Sequence, residues 1–161
     1  MSGAAGADVY FLVKTLHVVS ATILFGTGLG TAFFFWSSRS ADDAARLFVA
    51  RTTVRADFLF TLPAVVIQPV TGLWMILRAA FDPGEFWIAA SVGLYLLAGC
   101  CWVPVVWLQI RMKRMLQAKV GGAEFDEARF ERLRKAWFLL GWPAFLGLLM
   151  VFWLMVTKPT W

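Results

Sequence analysis

The sequence predicts an all-α fold, a bundle of four transmembrane helices, and three observations lead to that prediction. The 161 residues are 60% hydrophobic and only 16% charged, whereas soluble domains carry about 25% charged residues. The apolar residues are concentrated in four runs, at 15–36, 58–77, 86–110 and 136–157, in which His17 is the one ionisable Asp, Glu, Lys, Arg or His. Each run is at least about the 20 residues that cross a hydrocarbon core.

The first helix is predicted over residues 9–36. The N-terminus has no basic region and the apolar run is long, so we expect this helix to be retained rather than cleaved as a signal peptide. Small residues recur along it at Gly26 and Gly30, a pattern that lets a neighbouring helix approach closely. After it, residues 40–43 (Ser-Ala-Asp-Asp) form a capping-box pattern, with Ser40 as the cap of a surface helix that leads directly into the second span.

The second helix is predicted over residues 54–80. Pro63 and Pro69 should bend it, and each should free a backbone carbonyl that needs another partner. Residues 81–85 (Phe-Asp-Pro-Gly-Glu) favour a turn and oppose continuation of the helix. The second span therefore ends at this turn.

The third helix is predicted over residues 86–110 and continues to about residue 119, where two adjacent glycines end it. The fourth is predicted over residues 136–157, after a charged helical lead-in. Together the four spans leave little polypeptide for a soluble domain, so residues 1–161 are interpreted as one membrane domain.

The basic residues indicate orientation and location. Of the 15 Lys and Arg residues, the first loop carries four and the third loop eight. By the positive-inside rule both loops are cytoplasmic and both termini lie outside, as for a multi-pass protein of the bacterial cytoplasmic (inner) membrane. A basic surface facing anionic lipid accounts for the net charge of +5, so the lipid bilayer is the expected partner and nucleic acid is not.

His17 is the first candidate functional residue, because an ionisable group at membrane depth indicates a functional site by default. At 1.5 Å per residue, His17 lies roughly 12 Å, Gln68 roughly 15 Å and Tyr95 roughly 13 Å below the outer boundary. If the side chains of His17, Gln68 and Tyr95 all point toward the interior of the bundle, they form one cofactor-binding site, with Lys14 one turn from His17. A neutral imidazole in an apolar bundle is a common ligand of haem iron, so haem b or a porphyrin is the predicted cofactor and His17 its metal ligand.

A structural role for the same residues is the alternative. His17 can simply hydrogen-bond another helix, a contact worth about 0.6 kcal/mol on average, while Lys14 extends to the surface. Asp57, near the inner end of the second span, is expected to pair with a loop arginine rather than to serve a proton path. No catalytic triad, phosphate loop, paired carboxylate or metal cluster can be assembled from the sequence, so enzymatic activity is left open.

Three functions are therefore predicted as alternatives. The first is a small haem- or porphyrin-binding membrane protein with a redox role, in which Lys14 lies near a propionate. The second is a non-catalytic accessory or assembly subunit of a larger membrane complex, packed through Gly26 and Gly30. The third is a small-solute or metal-ion permease acting as a homo-oligomer, although four helices per chain leave little lumen.

Several strings in the chain resemble a bacterial family of predicted integral membrane proteins, the domain of unknown function 2269. They are KTLHV at 14–18, FGTGLGTAF at 25–33, LPAV at 62–65, QPVTGLW at 68–74, WVPVVWLQIR at 102–111 and GWPAF at 141–145. The likeness covers nearly the whole chain and implies a multi-pass membrane protein with no established activity.

A weaker likeness covers about one helix. Lys14 and His17 are similar to a Lys-x-x-His pattern in membrane protoporphyrinogen oxidases of the HemJ type, and an early histidine is also found in copper-resistance D-type membrane domains. The resemblance to the oxidases implies haem binding by His17. The chain lacks the further histidines of those proteins, so one subunit alone has no second histidine for the iron.

Overall fold

The computed structural model describes residues 2–79 and 81–159, with side chains from residue 6 onward. Within those ranges the regular structure is helical throughout, and four helical segments are long and apolar enough to cross a membrane. The elements are α1 (Ser2–Ser37), a 3₁₀ turn (Ser38–Ser40), α2 (Asp43–Ala56), a π-helical turn (Asp57–Thr61), α3 (Leu62–Ala79), α4 (Phe86–Val120) and α5 (Glu127–Thr157). The predicted all-α membrane fold is confirmed.

The helices are longer than the apolar runs that predicted them. α1 begins at Ser2 instead of residue 9, and α5 begins at Glu127, so it includes the charged lead-in that was predicted to be helical before residue 136. Hydrophobicity marks only the part of a helix that lies in lipid, whereas capping sets its end. At α5 the Asp126 carboxylate accepts a hydrogen bond from the Arg129 backbone N–H at 2.8 Å, so the helix starts in the charged segment.

The second span is confirmed. α2 is the predicted helix of the first loop, and it continues without a break through the π turn into α3. The predicted cap is wrong. Asp42 caps α2 by accepting from the Ala45 backbone N–H at 2.8 Å, while Ser40 is the last residue of the 3₁₀ turn that follows α1. Because Ser40 belongs to the 3₁₀ turn, it cannot serve as the N-cap of α2, and the carboxylate of Asp42 caps the helix instead.

Both predicted breaks between helices are confirmed. Between α3 and α4, the Asp82 carboxylate accepts from the Gly84 backbone N–H at 2.8 Å and closes a turn. Between α4 and α5, Gly122 adopts a φ of 86°, a left-handed conformation that favours glycine. α4 and α5 therefore form a helical hairpin, and they make the most extensive contact in the bundle.

The packing is densest at the end of the bundle that carries the first and third loops, which we term the basic end. Met112 and Leu116 of α4 are fully buried there against Leu47 of α2 and Phe130 of α5. Farther along the bundle, α1 packs on α3 while α1 and α5 approach one another at few points. The pairs α1–α3 and α4–α5 therefore touch at few points in the middle of the bundle, which leaves the space described next. At the end opposite the basic end, Ile76 of α3 packs again on a cluster formed by α4 and α5.

Candidate functional site

A cavity of about 420 Å³ lies between α1, α3, α4 and α5. On α1 its wall runs from Leu24 to Trp36, which is roughly 18 Å of helix at 1.5 Å per residue. Most of the wall is apolar and aromatic, and the volume lies within the range of small-molecule sites, about 300–1,000 Å³. The cavity extends from the middle of the bundle toward the basic end.

Five polar residues line the part of the cavity that is nearer the basic end, and we call them the polar cluster. They are Asp57, Thr61, Trp102, Gln109 and Trp137. The Thr61 hydroxyl donates to Asp57 Oδ1 at 3.0 Å. Within the described part of the chain, Asp57 Oδ2, Trp102 Nε1, Gln109 Oε1 and Trp137 Nε1 are buried and form no hydrogen bond of ordinary geometry. The side chains of Trp102 and Gln109 nevertheless lie within reach of the Asp57 carboxylate, so these groups face one another. A buried polar group without a partner costs about 1–3 kcal/mol, so a cluster of incompletely paired groups at one site calls for a physical explanation.

Asp57 corrects one prediction from the sequence. It was expected to pair with a loop arginine, but it is 3% exposed and takes part in no ion pair among the residues that the structure describes. Arg51 and Arg55 on the same helix are exposed, and Arg46 pairs with Asp43 and Glu127. Arg51 and Arg55 therefore lie on the outer face of the helix, Arg46 is used at the contact with α5, and Asp57 faces the interior.

The π turn gives this part of the helix its register. In a π turn the backbone N–H bonds to a carbonyl five residues earlier, here from Leu62 to Asp57, and such turns are frequent at functional sites. Asp57 and Thr61 begin and end the turn and are both buried. The turn thus brings a carboxylate and a hydroxyl together on the wall of the cavity.

The cavity is partly open to the surface of the bundle, and two exposed lining residues, one on α1 and one on α5, point to an opening between these helices. Phe33 of α1 is 63% exposed and Trp142 of α5 is 49% exposed, and both line the cavity. Aromatic pairs bridge the two helices nearby, with ring centroids 4.9 Å apart for Phe25 and Phe145 and 4.8 Å apart for Trp36 and Phe138. Apolar side chains exposed on a membrane-spanning segment face lipid, so this opening lies toward the bilayer.

His17 lies outside the residues that line this cavity, at the interface of α1 and α3. Its Nδ1 is 2.8 Å from Thr71 Oγ1, and the Thr71 hydroxyl is 2.6 Å from the Ile67 carbonyl. A hydroxyl has one proton, so while Thr71 donates to Ile67, the proton between His17 and Thr71 belongs to Nδ1. Nε2 then carries the lone pair of the neutral imidazole.

Glycine makes room for the His17 ring on α3. A Cβ atom added at Gly72 would lie 3.4 Å from His17 Cε1. The imidazole therefore packs directly on the backbone of α3, and a side chain larger than methyl at Gly72 would displace it.

Of the residues predicted to share a site with His17, the structure brings Gln68 to it. Gln68 Nε2 donates to the His17 backbone carbonyl at 2.7 Å and also to the Ser20 hydroxyl. Lys14 is exposed on α1. Haem ligation by His17, with Lys14 and Gln68 beside it, stays a prediction.

Tyr95 has a different partner, and it explains how the helix tolerates Pro69. The Tyr95 hydroxyl donates to the backbone carbonyl of Val65. Val65 is four residues before Pro69, so its carbonyl is the one that the missing proline N–H leaves without a helical donor. The predicted need for a substitute partner is thus met by α4, and Tyr95 also lines the cavity.

The polar cluster was missed as a site by the sequence analysis. Asp57 and Gln109 were visible as polar residues near the same end of neighbouring spans, and this is the signal that could have joined them. Trp137 carried no such signal, because tryptophan near a span end is expected at the lipid interface in any case. Trp102 lies well inside the third span, where an aromatic residue is expected in the core or against lipid. Within the described ranges, no group of three or more His, Cys, Asp or Glu residues is arranged to hold a metal ion.

Comparison with known proteins gives one match. The family described as predicted integral membrane protein (DUF2269) matches residues 11–159. No curated protein and no solved structure matches the chain.

Proposed function

This chain belongs to the DUF2269 family of predicted integral membrane proteins, and we propose that it binds a lipid-soluble amphiphile in the cavity between its helices. One observation carries the proposal: the residues of the polar cluster, among them the buried carboxylate of Asp57, lie together at one end of an otherwise apolar cavity. A ligand with a polar head and an apolar body matches that distribution. The head would supply hydrogen-bond partners to the polar cluster, and the body would fill the aromatic part.

The opening between α1 and α5 supports entry from the bilayer. We further propose that the protein resides in the bacterial cytoplasmic membrane with its basic end toward the cytoplasm, as the charge distribution favours. The polar cluster then lies at the level of the inner leaflet, whose molecules are oriented with their heads toward that side. Fusion of alkaline phosphatase and of a fluorescent protein to the C-terminus tests the orientation. Active phosphatase with a dark fluorescent fusion is expected, and the opposite result would overturn it.

Binding can be tested with a neutral amphiphilic probe. Radiolabelled triphenylmethanol has one hydroxyl head and three phenyl rings, and scintillation proximity detects only the probe held by immobilised protein. The test variant is Gly99→Leu, which adds a side chain on the cavity wall. The matched control is Gly93→Leu on the same helix, because Gly93 is outside the cavity lining, and a Cβ at either glycine meets no atom within 4 Å.

We expect saturable binding of triphenylmethanol to the wild type and to Gly93→Leu, and a loss of roughly tenfold or more in affinity for Gly99→Leu, because the added side chain occupies volume that the probe needs. Far-UV circular dichroism and gel filtration establish that both variants are folded. Absence of saturable binding, or equal binding by the two leucine variants, would contradict the proposed function.

Haem ligation by His17 is a second candidate, favoured by one observation. The hydrogen bond to Thr71 orients the imidazole and, in the tautomer described above, leaves Nε2 free, which is how outer-shell partners arrange histidines that bind metals. The test is an oxidised and dithionite-reduced optical spectrum of purified protein, before and after haemin addition, beside His17→Ala. A Soret band lost in the variant is expected, and a wild type without a band after haemin would remove this candidate.

Assembly into a larger membrane complex also has an observation in its favour. Gly26 is exposed on α1, and a Cβ added at Gly26 or Gly30 would meet no atom within 4 Å. The small-residue stripe is therefore available to a helix of another chain. Gly26→Leu should disrupt co-purification with such a complex while His17→Ala leaves it intact, and the reverse pattern would count against assembly.

Permeation of a solute stays a prediction. Liposome flux no greater than that of empty vesicles would remove it.

A further inference from the structure

We propose that the ligand of the cavity is a hydrophobic organic cation whose charge is balanced by the carboxylate of Asp57. The inference rests on the proposed function, since it names the chemical class of molecule that the same cavity would bind.

The charges lining the cavity do not balance. Asp57 is the one acidic residue among its described lining residues, and none of those residues is Lys, Arg or His. A carboxylate transferred from water to an apolar environment is costly unless a positive charge accompanies it. The cavity therefore holds one potential negative charge with no positive charge of its own.

Two basic residues of the basic end, Lys119 and Arg134, form ion pairs with other carboxylates and none with Asp57 in the part of the chain that the structure describes. Lys119 Nζ lies 2.9 Å from Asp43 Oδ1 and 3.8 Å from Glu127 Oε2. Arg134 pairs with Glu131 one turn away on α5. Its guanidinium carbon lies 5.1 Å from the ring centroid of Trp36, on the side of the cavity wall, and its Nη1 is buried without a hydrogen-bond partner among the described residues. In this arrangement the charge that neutralises Asp57 has to come from a proton or from the ligand, and a cationic ligand supplies it at the point where the cavity needs it.

The aromatic wall has the second property that a cation requires. Four indole rings, those of Trp36, Trp102, Trp137 and Trp142, line the cavity. The face of an indole attracts a positive charge, by about 2 kcal/mol or more where water is excluded. The ring of Trp36 is already in contact with two cations of the chain, since the guanidinium carbons of Arg39 and Arg134 lie 4.6 Å and 5.1 Å from its centroid. The rings of Trp102, Trp137 and Trp142 have no such contact among the described residues and are the ones that a ligand would meet.

An organic cation fits better than a metal ion. Metal ions such as Ca²⁺ and Mg²⁺ take about six or more oxygen ligands, several of them from carboxylates or water. The cavity provides one carboxylate, and the described residues contain no group of three potential His, Cys, Asp or Glu ligands. Its large apolar surface would instead contact the hydrocarbon part of a bulky cation.

The experiment compares two probes of similar shape and different charge. Methyltriphenylphosphonium carries a positive charge within three phenyl rings, and triphenylmethanol is its neutral counterpart. Both are measured by scintillation proximity in a non-ionic detergent, with wild type, Asp57→Asn and Asp57→Glu. Asp8→Asn is the matched control, since it removes one negative charge from an exposed residue outside the cavity lining. The net charge of +5 repels cations in general, so preference for the cation cannot come from overall attraction.

We expect the wild type to bind the cation roughly tenfold or more tightly than the neutral probe, as a desolvated cation in contact with aromatic faces and a carboxylate should. Asp57→Asn should lose this preference and still bind triphenylmethanol, which also shows that the variant is folded. Asp57→Glu should retain the preference in part, and Asp8→Asn in full. If triphenylmethanol binds and Gly99→Leu abolishes that binding, but the cation has no advantage or keeps it in Asp57→Asn, this inference fails while the proposed function stands. If neither probe binds saturably, the proposed function fails first.

Discussion

Replacement of Tyr95 by phenylalanine should destabilise the protein only because Pro69 is present. The Tyr95 hydroxyl donates to the Val65 carbonyl, which Pro69 leaves without its helical N–H donor. In the wild-type background, Tyr95→Phe therefore leaves a carbonyl unpaired within the membrane. In a Pro69→Ala background, the alanine N–H can bond to that carbonyl, and the same substitution should matter much less.

The magnitude follows from what each background leaves unpaired. An unsatisfied buried acceptor costs about 1–3 kcal/mol, while polar contacts between membrane helices average about 0.6 kcal/mol and reach about 1.7 kcal/mol. We therefore expect Tyr95→Phe to lower the free energy of unfolding by about 1–2 kcal/mol with Pro69 present. With alanine at that position the cost should fall below about 0.6 kcal/mol.

The assay is reversible unfolding by SDS in mixed micelles, followed by far-UV circular dichroism, for the four proteins of the double-mutant cycle. Tyr10→Phe is the matched control, because it removes the same atom from a hydroxyl that makes no hydrogen bond within the described residues. It should change the unfolding free energy by less than about 0.5 kcal/mol. Equal costs of Tyr95→Phe in the two backgrounds would refute the idea that α4 supplies the donor that proline removes.

Two further substitutions are expected to act through packing, each with a control, and the same unfolding assay measures them. Gly72→Leu should lower the free energy of unfolding by about 1–3 kcal/mol, since its side chain needs the space of the His17 ring. Gly93→Leu is the control and should change it little, because a Cβ there meets nothing within 4 Å. Similar losses of stability in both variants would show that the ring is not confined. Met112→Ala should cost about 2–5 kcal/mol, because Met112 is 0% exposed in the densest core, and Met150→Ala should cost far less at 48% exposure. A tolerant Met112 would mean that the basic end does not hold the bundle together.

The bilayer makes the spans predictable from sequence. A backbone in hydrocarbon must satisfy its own hydrogen bonds, so a long apolar run has to be a helix. The depth of a residue in the membrane could also be estimated from the sequence, because the rise per residue along a helix is constant. His17 and Gln68, counted to similar depths on different spans, do meet at the α1–α3 interface. The turn at residues 81–85 and the break at Gly122 followed from local backbone chemistry.

The direction in which each polar side chain points was decided by the tertiary structure. Counting placed Tyr95 in the same layer as His17, yet its hydroxyl bonds to Val65, because a proline on another helix left that carbonyl free. Asp57 lies beside arginines in sequence, but it is buried on the cavity wall while Arg51 and Arg55 stay exposed.

The sequence by itself therefore determined the four spans, their approximate depths and the charged end, since each depends on local composition or on a constant rise along the helix. The polar cluster and the cavity depend on how far α1 stands from α5 and on the register of the π turn at Asp57–Thr61. Both result from side chains of several helices packing at once. No single helix encodes that packing, because side chains distant in the chain compete for the same space.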